Sequence, residues 1–294
     1  MSYAHKQAVK LSVIIACFNG GRTLAEQLDA LAGQKWRQEW EVIIADNGST
    51  DNSRQIAESF KARLPNLRVV DAGNKRGAAH ARNVAIQEAR SDRFAFCDAD
   101  DQVGGGWVAS IGEALEEFDV VVSQFDDQKL NQQWLRELWY SPTATVGPKP
   151  ILGFLPAAAA YGLGITRRVY ERVGAFDESL PRMSDIDYTW RVQLAGFKLQ
   201  FLPHAVVHYR HRETLRGMFV QAYRDGQAQV LLYKMYRERG MSWKSWWQGI
   251  KSWVRLIRWA PQLLTRVGRG EWVVEAGFML GRLRGSIKYG VVAL

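Results

Sequence analysis

From Leu11 to Gln124 the chain repeats a single alternation, a short unbroken apolar run followed by a segment with apolar residues at helical spacing. The runs are Leu11–Phe18, Glu41–Ala45, Leu67–Asp71, Arg93–Cys97 and Asp119–Gln124, rich in Val and Ile and too continuous for a sheet with one wet face. Between them lie Thr23–Gln34, Ser53–Arg63, Ala78–Ala89 and Trp107–Phe118, and Leu24, Leu28 and Leu31 mark one face of the first. Strand, helix, strand repeated in this way predicts an α/β fold, a mostly parallel sheet flanked by helices on both faces. Such sheets bind ligands at the carboxyl ends of their strands. Here those ends are polar: Phe18-Asn19-Gly20-Gly21, Asp46-Asn47-Gly48-Ser49-Thr50-Asp51, Asn74-Lys75-Arg76-Gly77 and Asp98-Ala99-Asp100-Asp101.

Beyond this region the pattern changes. Ser141–Gly164, rich in Pro, Gly and Ala, predicts a crossing to a second lobe. That lobe is expected to hold a helix near Ile186–Ala195, a strand pair around Leu199–Tyr209 and a long helix from about Leu215 to Arg239. The two cysteines, Cys17 and Cys97, each close an apolar run; they form neither a disulfide framework nor a metal site and point to a reducing, cytoplasmic setting. The opening Met1–Lys10 is polar, unlike a secretory signal, and no apolar run has the length of a membrane-spanning helix.

The strand ends suggest specific chemistry. Hard divalent cations take oxygen ligands and are held by one or two carboxylates together with phosphate oxygens. Asp98 and Asp100, alternating on a turn after a buried strand, suit that task. In the second segment Gly48 marks a turn and Ser49, Thr50 or Asp51 a helix cap, leaving Asp46 to accept hydrogen bonds from a base or ribose. Arg76 and Arg82 flank Gly77 at an expected helix start, where backbone donors and the helix dipole favour phosphate. Both are also ordinary surface residue types.

Ser12-Val13-Ile14-Ile15-Ala16-Cys17-Phe18-Asn19, the Asp46–Asp51 loop, Arg76-Gly77 with Ala81-Arg82-Asn83, and Asp98-Ala99-Asp100-Asp101 occur here in order. Val173-Gly174-Ala175-Phe176-Asp177-Glu178 and Ser184-Asp185-Ile186-Asp187, with Arg191 and Gly196, follow. Together they resemble the family 2 glycosyltransferases of GT-A fold, from Leu11 to about Gln229. The resemblance implies an inverting, metal-dependent transfer of a hexosyl or deoxyhexosyl group from a nucleotide-diphosphate donor to an acceptor hydroxyl. The acceptor would be a carbohydrate, a lipid-linked molecule or a small molecule, in the synthesis of a bacterial-type glycan, glycolipid or glycosylated metabolite. It assigns nucleotide-sugar binding to residues 1–125 and the acceptor side to 126–212, and a helical, basic, Trp-rich extension is expected over 213–294.

By position, the resemblance places Asp46 at the base, Asp98 at the ribose or metal, and Arg82 with Arg76 near the diphosphate, with Phe18, Asn19 and Ala99 alongside. Asp100 would coordinate Mn²⁺ or Mg²⁺, with His208 as a further ligand, and Asp185 would be the catalytic base. Ser184, Asp187, Tyr188 and Trp190 fall on the acceptor side. A carboxylate within reach of the acceptor hydroxyl can take its proton as the new bond forms, and one displacement inverts the anomeric centre. Other readings stand beside these: a helix cap for Asp185, a basic patch around Tyr209-Arg210-His211-Arg212 for His208, and core packing for Tyr188 and Trp190. Two residues depart from the family pattern, Ala16 for a common proline and Ser184 for an acidic residue before the base.

The net charge of +9 is concentrated at the end of the chain. From Met241 onward there are nine Lys and Arg against Glu271 and Glu275, together with six of the twelve tryptophans. Trp243, Trp246, Trp247, Ile250, Trp253, Val254 and Ile257 define an apolar stripe, with Lys244, Lys251, Arg255 and Arg258 mostly off it. Pro261 ends that helix and Trp272–Ile287 offers a second. The pattern suits a peripheral helix on the inner face of the plasma membrane; helices packed on the catalytic domain or across a dimer seam are the alternative. No nucleic-acid-binding motif accompanies it.

Two other functional classes remain. Gly20-Gly21-Arg22-Thr23-Leu24 is similar to the glycine-rich loop of sugar nucleotidyltransferases, and a non-catalytic membrane-bound scaffold could keep a degenerate transferase domain. A dinucleotide-dependent dehydrogenase is disfavoured by the lack of G-x-G-x-x-G after the first strand.

Overall fold

A computed structural model of the chain describes residues 8–139, 147–243, 251, 253–254 and 256–293. Four strands, β1 (Leu11–Cys17), β2 (Trp40–Asp46), β3 (Leu67–Asp71) and β4 (Arg93–Asp98), form the expected parallel sheet, with β1 between β2 and β4. Along β1, Val13 and Ile15 enter one core layer and Ile14 the other, which is why the run is unbroken. Each such side chain contributes about 1.5–3 kcal/mol by leaving water. One layer is completed by α1 (Leu24–Ala32), α2 (Ser53–Ser59) and, after the short β5 (Gln102–Val103), by α4 (Trp107–Glu117). The other is completed by α3 (Ala78–Glu88).

The register levels the strand ends: Cys17 lies opposite Asp46, Ala16 opposite Asp98, and Asp46 opposite Asp71. The polar segments therefore emerge on one rim.

After β6 (Val120–Asp126), α5 (Gln133–Leu138) and a ribbon of β7 (Lys149–Pro150) with β8 (Pro156–Ala157), the chain returns to the same sheet. Strand β9 (Leu163–Thr166) inserts antiparallel between β4 and β6. Its Gly164 is there for space, because a Cβ would stand 2.6 Å from Val121 Cγ2. Helices α6 (Arg167–Val173) and α7 (Ser184–Leu194) join the α3 layer. The expected strand pair is one strand, β10 (Gln200–His208), parallel to β6 and irregular between Leu202 and Val206. Pro203, which cannot donate to a ladder, sits at the break. The full order is β3–β2–β1–β4–β9–β6–β10–β5.

Two long helices follow, α8 (Leu215–Tyr236) and α9 (Arg266–Tyr289), each opened by a threonine whose hydroxyl accepts a backbone N–H in the first turn. They pack at close range. Gly277, Gly281 and Gly285 recur every fourth residue of α9, and a Cβ on Gly281 would stand 2.1 Å from the Tyr223 carbonyl oxygen. A Cβ on Gly226 of α8 would meet the Phe278 carbonyl at 2.5 Å. This second tail helix is thus packed on the body of the protein. Lys244, Trp246, Trp247, Ile250 and Arg255 of the first lie outside the described residues. Among the described residues no helix is long and apolar enough to cross a membrane.

Candidate active site

The first three strand ends are stitched into one rim by side chains. Asn19, in the left-handed region at φ 52°, accepts the Thr50 N–H at 2.8 Å, and its own N–H reaches Ser49 Oγ at 3.0 Å. Asp51 Oδ2 accepts the Gly21 N–H at 2.8 Å. None of Ser49, Thr50 or Asp51 is the cap of α2: that position is Asn52, while Asp51 Oδ1 accepts the Ser53 N–H at 3.1 Å. Asp46 shares in the turn after all, since its Oδ1 accepts the Ser49 N–H at 2.9 Å. Asn47, unremarked in the sequence, fixes the third loop: Nδ2 donates to the carbonyls of Ala72 (2.6 Å) and Lys75 (2.7 Å), and Oδ1 accepts the Gly77 N–H (2.8 Å). Arg76 donates to the Asn47 carbonyl at 2.9 Å and lies 4.3 Å over the ring of Phe18. That ring is 52% exposed. A large aromatic side chain presented to solvent under a guanidinium is a ready stacking surface.

The fourth strand end is acidic. Ligand oxygens of Asp98, Asp100 and Asp101 all lie within 4.8 Å of one another. Asp98 sits deep in the cleft with part of its carboxyl open, paired with Arg82 at 2.9 Å. Burial raises its pKa, Arg82 opposes the rise, and the charges of Asp100 and Asp185 add to it. Asp101 is 1% exposed; its Oδ1 accepts the Arg210 N–H at 2.9 Å, and its Oδ2 is buried without a hydrogen-bond partner. Burial, then the charges of Asp98 and Asp100, push it up to about 9. Asp100 faces Arg212 at 3.0 Å. Crowded carboxylates with one orphaned oxygen are a frustrated arrangement that a hard divalent cation relieves. The residues present fit such an ion.

His208 does not join this group. It ends β10 opposite Gln102 of β5, and its Nδ1 is 2.5 Å from Asp126 Oδ2. The third member is Asp101, which the alternating pattern passes over. Ala99 is buried, beside Gly20, and serves the site by being small.

Asp185 stands in the first turn of α7, behind Met183 in the left-handed conformation at φ 60°. It is not the cap, a position held by Met183. Its Oδ1 accepts the Ile186 N–H and its Oδ2 the Ala160 N–H, both at 3.0 Å. Its charge acts on Asp98 and on Tyr161, which puts it within electrostatic reach of the acidic group.

Its neighbours have other work. Ser184 is buried. Asp187 binds Arg191 Nε at 2.8 Å and accepts the Tyr236 hydroxyl at 2.6 Å, tying α7 to α8. Tyr188 is stacked on Phe176 at 4.1 Å, and Trp190 donates to the Leu155 carbonyl at 2.9 Å. Both rings are fully buried, so Asp187, Tyr188 and Trp190 pack the core and do not face an acceptor. Glu178 gathers Asn83 (2.9 Å), Lys75 (2.8 Å) and His80 (3.1 Å), linking the third loop to the segment before α7. Against the upward push of burial these hydrogen bonds hold Glu178 down at about 2.

The family model for glycosyl transferase family 2 matches residues 12–174, more than half of the chain, and the chain belongs to that family. It is similar to glycosyltransferase AglE of Haloferax volcanii, 25% identical over 230 residues that cover 77% of this chain and 75% of AglE. It also resembles the poly(ribitol-phosphate) beta-N-acetylglucosaminyltransferase TarS of Staphylococcus aureus, 26% identical over 72% of this chain but only 38% of TarS. Among solved structures, TarS 1–349 with UDP-GlcNAc superposes with a TM-score of 0.55 at 19% identity, covering 96% of this chain and 93% of that one. Mannosyltransferase PcManGT of Pyrobaculum calidifontis, bound to GDP-Man and Mn²⁺, gives 0.65 at 17% identity, covering 95% and 88%. These likenesses establish the GT-A fold.

Proposed function

We propose that this glycosyltransferase moves a hexosyl or deoxyhexosyl group from a nucleoside-diphosphate sugar to an acceptor hydroxyl with inversion, with Asp185 as the base. The observation that carries the reading is Asp185 itself, whose carboxylate two backbone N–H groups fix within electrostatic reach of Asp98. Phe18 under Arg76 and the buried Asp46 offer a stacking surface and an acceptor for the nucleoside. Arg82 holds Asp98 beside the expected diphosphate. Asp98, Asp100 and Asp101 would hold Mn²⁺ or Mg²⁺, which when bound supplies positive charge to the leaving diphosphate. TarS with UDP-GlcNAc and PcManGT with GDP-Man and Mn²⁺ support this class of donor and ion. The acceptor would be a carbohydrate, lipid-linked or small molecule in bacterial-type glycan, glycolipid or metabolite glycosylation.

Incubated with UDP- and GDP-linked sugars plus Mn²⁺ or Mg²⁺, the chain should release nucleoside diphosphate, and EDTA should stop the release. Pyrophosphate release from a nucleoside triphosphate and a sugar phosphate would instead assign it to the nucleotidyltransferases. No turnover with any donor would leave the scaffold reading.

The tail supports peripheral contact with an anionic membrane surface at the inner leaflet. Leu256 packs inward on Ala276 and Met279, whereas Val254, Ile257 and Leu264 are 50%, 74% and 87% exposed. Lys251, Arg258 and Arg269 are exposed in the same region. Apolar side chains outward among cations match the headgroup boundary of an anionic bilayer. An Ile257→Asp, Leu264→Asp double variant should co-sediment with phosphatidylglycerol vesicles at least roughly tenfold less than the unmodified chain. Equal sedimentation of the two would remove the membrane from the account.

A further inference from the structure

Next to the acidic group lies a second cavity, of about 260 Å³, that the donor reading does not use. Two features join it to the site. Arg212 lines it and places Nη1 3.0 Å from Asp100 Oδ2. Tyr161 lines it too, and burial together with nearby charges, those of Asp101 and Asp185 among them, raises its pKa well above the usual phenol value.

The walls are aromatic. The rings of Phe125, Tyr161 and Tyr209 meet with centroids 5.1–6.0 Å apart. Trp139 lies flat on His211, 4.9 Å between centroids and 8° from parallel. His211 is itself nine-tenths buried, and its Nε2 is paired with Asp127 at 3.5 Å. Trp139 remains 37% exposed. The far wall comes from the C-terminal helices: Asp225 of α8, held by Arg182 at 2.6 Å, and Val274 and Phe278 of α9. The catalytic fold alone would leave the cavity open on that side.

Rigid aromatic plates with a few fixed polar groups suit a ligand that is apolar on its faces and polar around its edge. A sugar ring has that character, with C–H groups on its faces and hydroxyls around its rim. The volume lies just below the roughly 300–1,000 Å³ usual for small-molecule sites, which favours one ring over an extended chain segment. An acyl or prenyl chain would lay hydrocarbon against the charged Arg212 and Asp225 of the wall.

We propose that this cavity seats a sugar ring of a carbohydrate acceptor against Trp139, and that the α8–α9 pair is thereby part of acceptor recognition. The proposal rests on the glycosyltransferase reading for the word acceptor, but its test needs no turnover. Saturation-transfer difference NMR on the full chain, with methyl glycosides of glucose, mannose, galactose and N-acetylglucosamine as probes, should show ring-proton signals for at least one. Trp139→Ala should weaken that binding roughly tenfold, about the worth of one aromatic contact. Val274→Trp, which fills the cavity from α9, should remove it. Unchanged binding by a folded Val274→Trp protein, or no signal with any glycoside for the unmodified chain, would overturn the proposal. Nucleoside diphosphate release, measured separately, reports on the glycosyltransferase reading.

Discussion

Asp185→Asn should leave the nucleotide sugar bound while sugar transfer falls by roughly 10²–10⁴-fold, the usual worth of a positioned general base. The substitution preserves shape. An asparagine oxygen can still accept one of the two N–H groups, from Ala160 or Ile186, that the carboxylate now accepts at 3.0 Å each. What it cannot do is take a proton from an alcohol. The competing idea is that Asp185 serves only to anchor the start of α7 through Ala160. On that view the variant would lose stability, read as a lower melting temperature, while each folded molecule kept its turnover. Donor titration, melting temperature and transfer rate together separate the two. Transfer at the unmodified rate by the folded Asn variant would remove Asp185 from the chemistry.

The parallel half of the sheet could be read from sequence because both its faces are buried. Val13 and Ile15 serve one layer and Ile14 the other, so the run could not alternate. Strand β9 left no such mark. It is four residues long, and Gly164 fills a place where Val121 leaves no room for a Cβ, so its signal is the absence of a side chain. The same holds for α9, whose contact with α8 is carried by Gly277, Gly281 and Gly285. A hydropathy pattern counts those residues as neutral.

At the site, the strand-end pattern put Asp46, Asp98 and Asp100 on one rim, and the family resemblance singled out Arg82 and Asp185, but neither could assign the neighbouring polar and aromatic residues. Asp187 lies two positions from Asp185, yet it turns inward to Arg191 and Tyr236 because successive helical side chains point to different faces. Asp101 is the converse case. Its burial, with one oxygen unpartnered, appears only once Arg210 folds over it. Asn47 has no chemistry of its own, and only its three hydrogen bonds across the loops disclose its part.

Asp100→Ala should weaken Mn²⁺ binding by about 10–100-fold and lower donor turnover by roughly 10²–10³-fold. Of the three clustered carboxylates, Asp98 is committed to Arg82 at 2.9 Å, and Asp101 is 1% exposed and spends one oxygen on the Arg210 backbone. Asp100 is nearly one-third exposed and faces a half-exposed Arg212 at 3.0 Å. A surface pair of this kind is worth little, commonly about 0–1 kcal/mol, so Arg212 can yield its place to an ion at small cost. Removing Asp100 should therefore barely alter the melting temperature of the EDTA-treated protein, since no buried partner is orphaned. The loss should appear when the cation is added: calorimetric titration with Mn²⁺ should show the weakened affinity, and the stabilisation that the ion gives the unmodified chain should shrink with it. Mn²⁺ affinity in the Asp100→Ala protein equal to that of the unmodified chain would mean that the acidic group is not the cation site, and the charge that neutralises the leaving diphosphate would have to come from Arg76, Arg82 and Arg212.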